Sequence, residues 1–297
     1  MVPFPPAAVD ELEGALRKLR QDPLPLLLLS PAQFALSACA SVMTAVDQKL
    51  RRGVGLAVID RIPVERFSVD ENRALCWLLG SLLGRPVAQK WDGTMIYDVR
   101  DTGKTLDYGV RRSVTSLELQ FHTDAPWLAL PPEHVGLYCL NPAREGGVSH
   151  VLSLATVHNE LRRLHPDLLP RLYRPFPWDR QAEHPLGEEK IAWQPVFRSD
   201  GRDLVARYNE ALIVNAEALT DTPLDHEGRE ALAAVRAIAD SPQLRVEFTI
   251  ERGQIQYLDN RLVAHSRTAF KDAEDPDRKR HLVRLWNRNE GRQTFHG

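Results

Sequence analysis

Near the start of the chain apolar residues recur three and four positions apart. Val9, Leu12, Leu16 and Leu19 share one stripe, which predicts a helix over residues 9–20. A second helix is expected across residues 31–50. The run "GVGLAVID" (53–60) is continuously apolar and reads as a buried strand. In "SVDENRALCWLLGSLLG" the helical period returns, with Ser68 or Asp70 as the cap and Gly84 as the stop. Beyond it short strand patterns dominate: "TMIYDVRD", "LELQFHTDAPW", two strands in "HVGLYCLNPAREGGVSHVLSL" joined at residues 141–147, "IAWQPVFR", "LRVEFTIE", "QIQYLD" and "HLVRLWNR". Helices are expected over residues 154–164, from Pro166 onward, and over 225–239. The stretch "YRPFPWDRQAEHPLGEEK", rich in proline and charge, reads as an excursion or lid.

This pattern predicts one domain over residues 1–297, with a helical portion at 1–52 and an inserted helical or lid segment at about 154–195. A sandwich or barrel core decorated by helices fits it. The strand-helix alternation of a doubly wound sheet is missing, and so is a glycine-rich phosphate loop. Composition changes this picture little. A hydrophobic content of 43%, a charged content of 26% and a net charge of -2 describe an ordinary globular protein. They give no electrostatic case for a nucleic-acid partner. No apolar run is long enough to cross a bilayer, and the N-terminus lacks the layout of a signal peptide. Cys39, Cys76 and Cys139 sit in apolar stretches without a CxxC pair, as buried free thiols in a reducing compartment would. A cytoplasmic location and a small-molecule partner are expected; a homo-oligomer is left open.

Chemistry enters with the histidines. Three H-x-D or H-x-E pairs occur: His122/Asp124, His158/Glu160 and His165/Asp167. Residues two apart share a face on a strand but diverge on a helix. The second pair falls in an expected helix and the third at the start of one, so only His122/Asp124, ending a strand, can close on one ion. His265, in "YLDNRLVAHSRTAF", is the candidate third ligand. Two histidines and a carboxylate leave coordination positions open, which suits non-haem Fe(II), although zinc could use the same set. In "DRKRHLVRLWNR", Arg280 and Arg284 share strand parity with Trp286. An arginine turned into a barrel must meet an anion, and its guanidinium grips a carboxylate through two parallel bonds. A metal at one end and an arginine at the other imply a dicarboxylate, which describes 2-oxoglutarate.

"FHTD", "PAREGGVS", "LDNRLVAHSRTAF" and "RHLVRLW", in this order, resemble the taurine dioxygenase family of Fe(II)/2-oxoglutarate-dependent oxygenases over most of the chain. The resemblance implies a double-stranded β-helix, a jelly-roll relative, with β structure predominating over the flanking helices. It makes His122, Asp124 and His265 the iron ligands and Arg280 the anchor of 2-oxoglutarate. It places Arg284 against the substrate or the co-substrate. Ser149 stands where the family often has a threonine that binds the co-substrate, keeping the hydroxyl without the methyl. The activity implied is O2-dependent hydroxylation of an unactivated C–H bond, with release of succinate and CO2. Desaturation or ring formation are variants, and Asp124 argues against halogenation, which needs that carboxylate gone. The expected substrate is an amino acid or a natural-product intermediate. Glu118, by parity with His122, is a candidate contact for a substrate amine. Trp127, Trp178, Trp193 and Tyr208 are open between pocket wall and core. The competing class is a zinc hydrolase-like site or a ligand-binding barrel. Against zinc hydrolysis stand the missing HExxH glutamate and an Arg280 that would then lack a partner.

Overall fold

Alternation along the strand His281–Asn287 decides how the chain is layered. In the computed structural model, which describes every residue except 106, 108, 200, 202, 221 and 222, all seven of its residues are buried. Val283 and Leu285 pack with a helical layer on one side. Leu282 and Arg284 line an interior cavity on the other. A strand covered on both faces has no solvent face, which is why its pattern is nearly continuous.

The outer layer consists of α1 (Pro6–Gln21), α2 (Ser37–Arg52) and α3 (Val69–Leu83). Leu12 and Leu16 of α1, Met43 and Val46 of α2 and Leu75 and Leu79 of α3 share one cluster with Ile255, Tyr257, Val283 and Leu285 of the sheet. The large sheet runs in the order 2–3, 56–60, 255–259, 134–141, 281–287 and 86–87, with 96–99 also paired to 281–287. A second sheet faces it in the order 245–248, 149–153, 263–267 and 119–122. Two sheets enclosing a cavity give the mixed, strand-rich architecture of the jelly-roll class.

Local chemistry explains where elements start and stop, and where the expected boundaries shift. Ser68 and Glu71 form a reciprocal capping box on α3. The helix expected over 31–50 starts late. A capping box between Ser30 and Gln33 closes a single turn at Pro31–Gln33, and Phe34 is extended. α2 then begins where Glu11 of α1 accepts from the amides of Ala38 and Cys39, both at 2.9 Å. α4 (Leu154–Leu164) stands as expected. The helix expected from Pro166 onward is only a short 3-10 turn, Leu169–Tyr173. Pro170 sits in that turn, and Pro175 and Pro177 hold the following backbone extended. The supposed excursion is a hairpin, Pro175–Asp179 against Ile191–Pro195. α5 (Glu210–Thr220) was not anticipated, and α6 (His226–Ala239) is capped by Asp225. All three cysteines are free and buried, and burial pushes their thiols up to about 12, so they behave as apolar packing. Among the described residues no helix is long and apolar enough to cross a membrane.

Candidate metal centre

The strand Leu119–His122 lies at the edge of the smaller sheet, and its register against Val263–Arg267 sets His122 directly opposite His265. The two imidazoles are 4.2 Å apart between ring centres. Asp124 lies just past the strand end, in a turn where Ala125 adopts a positive φ of 50°. One potential ligand atom from each of His122, Asp124 and His265 falls within 4.8 Å of the other two, and all three residues are buried. The other two pairs go elsewhere. His158, on α4, bonds the Tyr173 hydroxyl at 2.7 Å, and Glu160 pairs with Arg163. His165 only ends α4.

The protonation states suit a cation. Nδ1 of His122 lies 2.9 Å from the Gln120 carbonyl, which can only accept, so Nδ1 carries a proton and Nε2 is the nitrogen turned to the cluster. Nε2 faces Oδ1 of Asp124 at 3.5 Å. Burial pushes His265 down to about 3, so the imidazole is neutral. Burial opposes ionisation of Asp124, but the Arg284 guanidinium beside it holds its carboxyl well below the usual range. Its Oδ2 accepts from Trp286 Nε1 at 2.7 Å and meets Arg284 at 3.1 Å.

A small cavity opens beside this cluster, lined by Ser149, Gln256, Arg267, Arg280 and Arg284 together with His122 and His265. The Gly146–Gly147 turn packs beside Arg280, whose Nε would lie 3.7 Å from a Cβ at Gly147. A Cβ at Gly146, whose φ is +71°, would lie 2.2 Å from the Ala269 carbonyl. Arg280 stands over the Phe270 ring at 5.0 Å. Burial lowers its guanidinium to about 10. Among the described residues, NH1 of Arg280, NH2 of Arg284, Nε of Arg267 and Nδ1 of His265 are buried without a hydrogen-bond partner. Groups so placed are costly unless a ligand satisfies them. The donor set and these orphaned atoms therefore fit a metal ion with an anionic co-ligand.

A larger cavity of about 490 Å3 shares His122 and Arg284 with the first and is lined also by Asp124, Gln120, Arg111, Trp127, Asp179 and Asn215 among others. Behind its wall runs a buried polar chain. Arg284 Nε donates to Gln89 Oε1 at 2.8 Å, Arg111 donates to the Gln89 carbonyl at 3.0 Å, and Arg111 pairs with Glu183 at 2.7 Å. Reasoning from sequence missed Gln89, Arg111, Glu183 and Asn260. Glu118 corrects an expectation: it is exposed and absent from the walls of both cavities, because a register shift between Leu119 and His122 breaks the alternation that parity with His122 assumed. Trp178 and Tyr208 are buried in the core, Trp193 is 56% exposed, and only Trp127 of the four reaches the cavity.

Similar proteins carry this architecture. Asparagine oxygenase, solved with Fe(II), hydroxyasparagine and succinate, superposes with a TM-score of 0.73 at 20% identity, over 97% of this chain and 93% of that one. The non-haem iron oxygenase OrfP, solved with Fe and alpha-ketoglutaric acid, gives 0.70 at 16%, covering 97% and 94%. At such identities the likeness establishes the fold. In sequence the chain is 30% identical to FR-33289 synthase of Streptomyces rubellomurinus, over 95% of this chain and 84% of that protein. It is 34% identical to uridine-5'-phosphate dioxygenase of a Streptomyces species, over 52% of this chain and 55% of that one. The profile of one family matches residues 25–286, nearly the whole length, and so the chain belongs to the taurine catabolism dioxygenase TauD, TfdA family.

Proposed function

We propose that the protein is an Fe(II)- and 2-oxoglutarate-dependent dioxygenase that hydroxylates an unactivated C–H bond of a small molecule. The observation that carries this reading is the buried convergence of His122, Asp124 and His265 beside a cavity lined by Arg280, whose NH1 has no hydrogen-bond partner among the described residues. The three residues would hold the iron, and a bound iron supplies O2 activation coupled to conversion of 2-oxoglutarate to succinate and CO2. Arg280 would take the distal carboxylate through its two-pronged guanidinium. The Ser149 hydroxyl would donate a further bond from the same wall. Arg284, lining both cavities, separates the co-substrate side from the substrate side.

The larger cavity would take the primary substrate. Its volume of about 490 Å3 and its amide, carboxylate and guanidinium lining suit a small polar molecule, an amino acid or a natural-product intermediate. Neighbours solved with hydroxyasparagine and hydroxy-L-Arg support the amino-acid class. The test is anaerobic addition of Fe(II) and 2-oxoglutarate to metal-free protein. A weak visible charge-transfer band, and succinate formation once O2 is admitted, are expected. Intact protein giving neither would overturn the reading.

A further inference from the structure

Asp124 is held by more than its neighbours in the cluster. Its backbone amide donates to Asn260 Oδ1 at 2.7 Å, and Asn260 Nδ2 donates back to the Asp124 carbonyl at 3.0 Å and to the Pro132 carbonyl at 3.2 Å. Asn260 is 1% exposed, so these bonds have no competition from water. They pin one polar atom of the peptide unit on each side of Asp124, in a turn whose next residue is in the left-handed region. The carboxylate is then fixed independently, from the opposite sheet. Trp286 Nε1 and Arg284 NH1 both address Oδ2, while Oδ1 is turned to His122.

The two oxygens are therefore not equivalent. An ionised carboxylate oxygen offers about two lone-pair directions; at Oδ2 one is taken by the indole N–H, and the Arg284 guanidinium sits in ion-pair contact with the same oxygen. Indole N–H is a donor only, and Trp286 is 1% exposed, so turning Oδ2 to a cation would strand the N–H in a dry interior. The ring itself cannot follow. It stacks on Phe295 at 6.4 Å and 16°, and the Arg284 guanidinium lies over it at 4.9 Å.

We propose that Asn260 and Trp286 are positioning residues that make Asp124 present Oδ1 alone to the metal. This rests on the reading of the site given above. Outer groups that orient a ligand are typically worth ten- to a hundredfold in metal affinity, and about tenfold is expected from Trp286 because Arg284 still touches Oδ2.

Co(II) titrated into metal-free protein tests this, with affinity and visible absorption as readouts that need no turnover. For Trp286→Phe we expect about tenfold weaker binding. The d–d spectrum should also change, because the freed Oδ2 can now enter the coordination sphere. Asn260→Asp, which keeps the acceptor for the Asp124 amide and loses the Nδ2 donor, should also weaken binding. If Trp286→Phe does not fold, as judged by circular dichroism, benzothienylalanine placed at 286 removes the N–H while keeping the indole shape. A wild-type protein that takes up no Co(II) overturns both the functional reading and this inference. Wild-type uptake matched in affinity and spectrum by the folded position-286 variant overturns this inference alone.

Discussion

Exchange of Arg280 for lysine isolates the contact that ties the co-substrate to the fold. Arg280 is 7% exposed, its NH1 has no partner among the described residues, and Phe270 supports its guanidinium plane from one side. Lysine would keep the charge but replace a two-pronged contact with one ammonium contact, and would lose the stacking of a planar cation on the ring. One charged hydrogen bond is worth about 1.5–3 kcal/mol, or about ten- to a hundredfold in affinity. The apparent constant for 2-oxoglutarate should rise by that factor in Arg280→Lys, while Fe(II) binding alone stays near wild type. The assay is a titration of 2-oxoglutarate against the charge-transfer band, repeated against succinate formation, for Arg280→Lys and Arg284→Lys in parallel. Arg284 meets Asp124 and lines both cavities, so its variant should alter the metal or substrate constants more than the 2-oxoglutarate constant. The assignment is refuted if Arg284→Lys carries the main 2-oxoglutarate defect while Arg280→Lys titrates like wild type.

His122→Ala, Asp124→Ala and His265→Ala should each abolish Fe(II)-dependent succinate formation with the fold intact, whereas His158→Ala and His165→Ala should retain it; turnover by His265→Ala would sink the triad. Asp124→Gly should lose hydroxylation, with halogenation in the presence of chloride at best feeble, and efficient hydroxylation by it would show that Asp124 is no ligand. Glu118→Gln should leave every kinetic constant within about twofold, since its side chain is exposed outside both cavities; a selective loss of substrate affinity would restore Glu118 to the site. His134 is held down to about 4 by burial and then by Arg51, so it folds neutral. The stability from its neutral form is complete above its ordinary value of about 6.5 and is lost as pH falls towards 4, on the order of 3 kcal/mol. Denaturant melts should show that loss for wild type and a flatter profile for His134→Gln; parallel profiles would refute the assignment.

What was legible in the sequence was whatever chemistry is local. Ser68 and Glu71 announce a helix start three residues apart, and period-two alternation along 281–287 separates Arg284 and Trp286 from Val283 and Leu285. The His-x-Asp pair could be sorted from its two imitators by backbone period alone. α5 escaped because "ALIVNAEALT" is apolar around much of its circumference and offers no single stripe. Glu118 was misplaced because parity was carried from His122 across a register shift in the strand, which no local pattern announces. Asn260, Gln89 and Arg111 were invisible for another reason. Their significance lies in partners chosen across the fold, 136 residues away in the case of Asn260 and Asp124, and no local period encodes that choice.

The long separation along the chain also has a consequence in time. His122 and His265 come from two strands of one sheet, Asp124 from the turn beyond, and the groups steering its carboxylate from the opposite sheet. Helices α1, α2 and α3 close through contacts near in sequence, but this cluster exists only after both sheets have found their register, a slow, non-local event. A nascent or partly folded chain consequently offers no assembled three-residue trap for a reactive cation. Any ion captured by the finished cluster binds the native state alone, and so draws the folding equilibrium towards it by mass action.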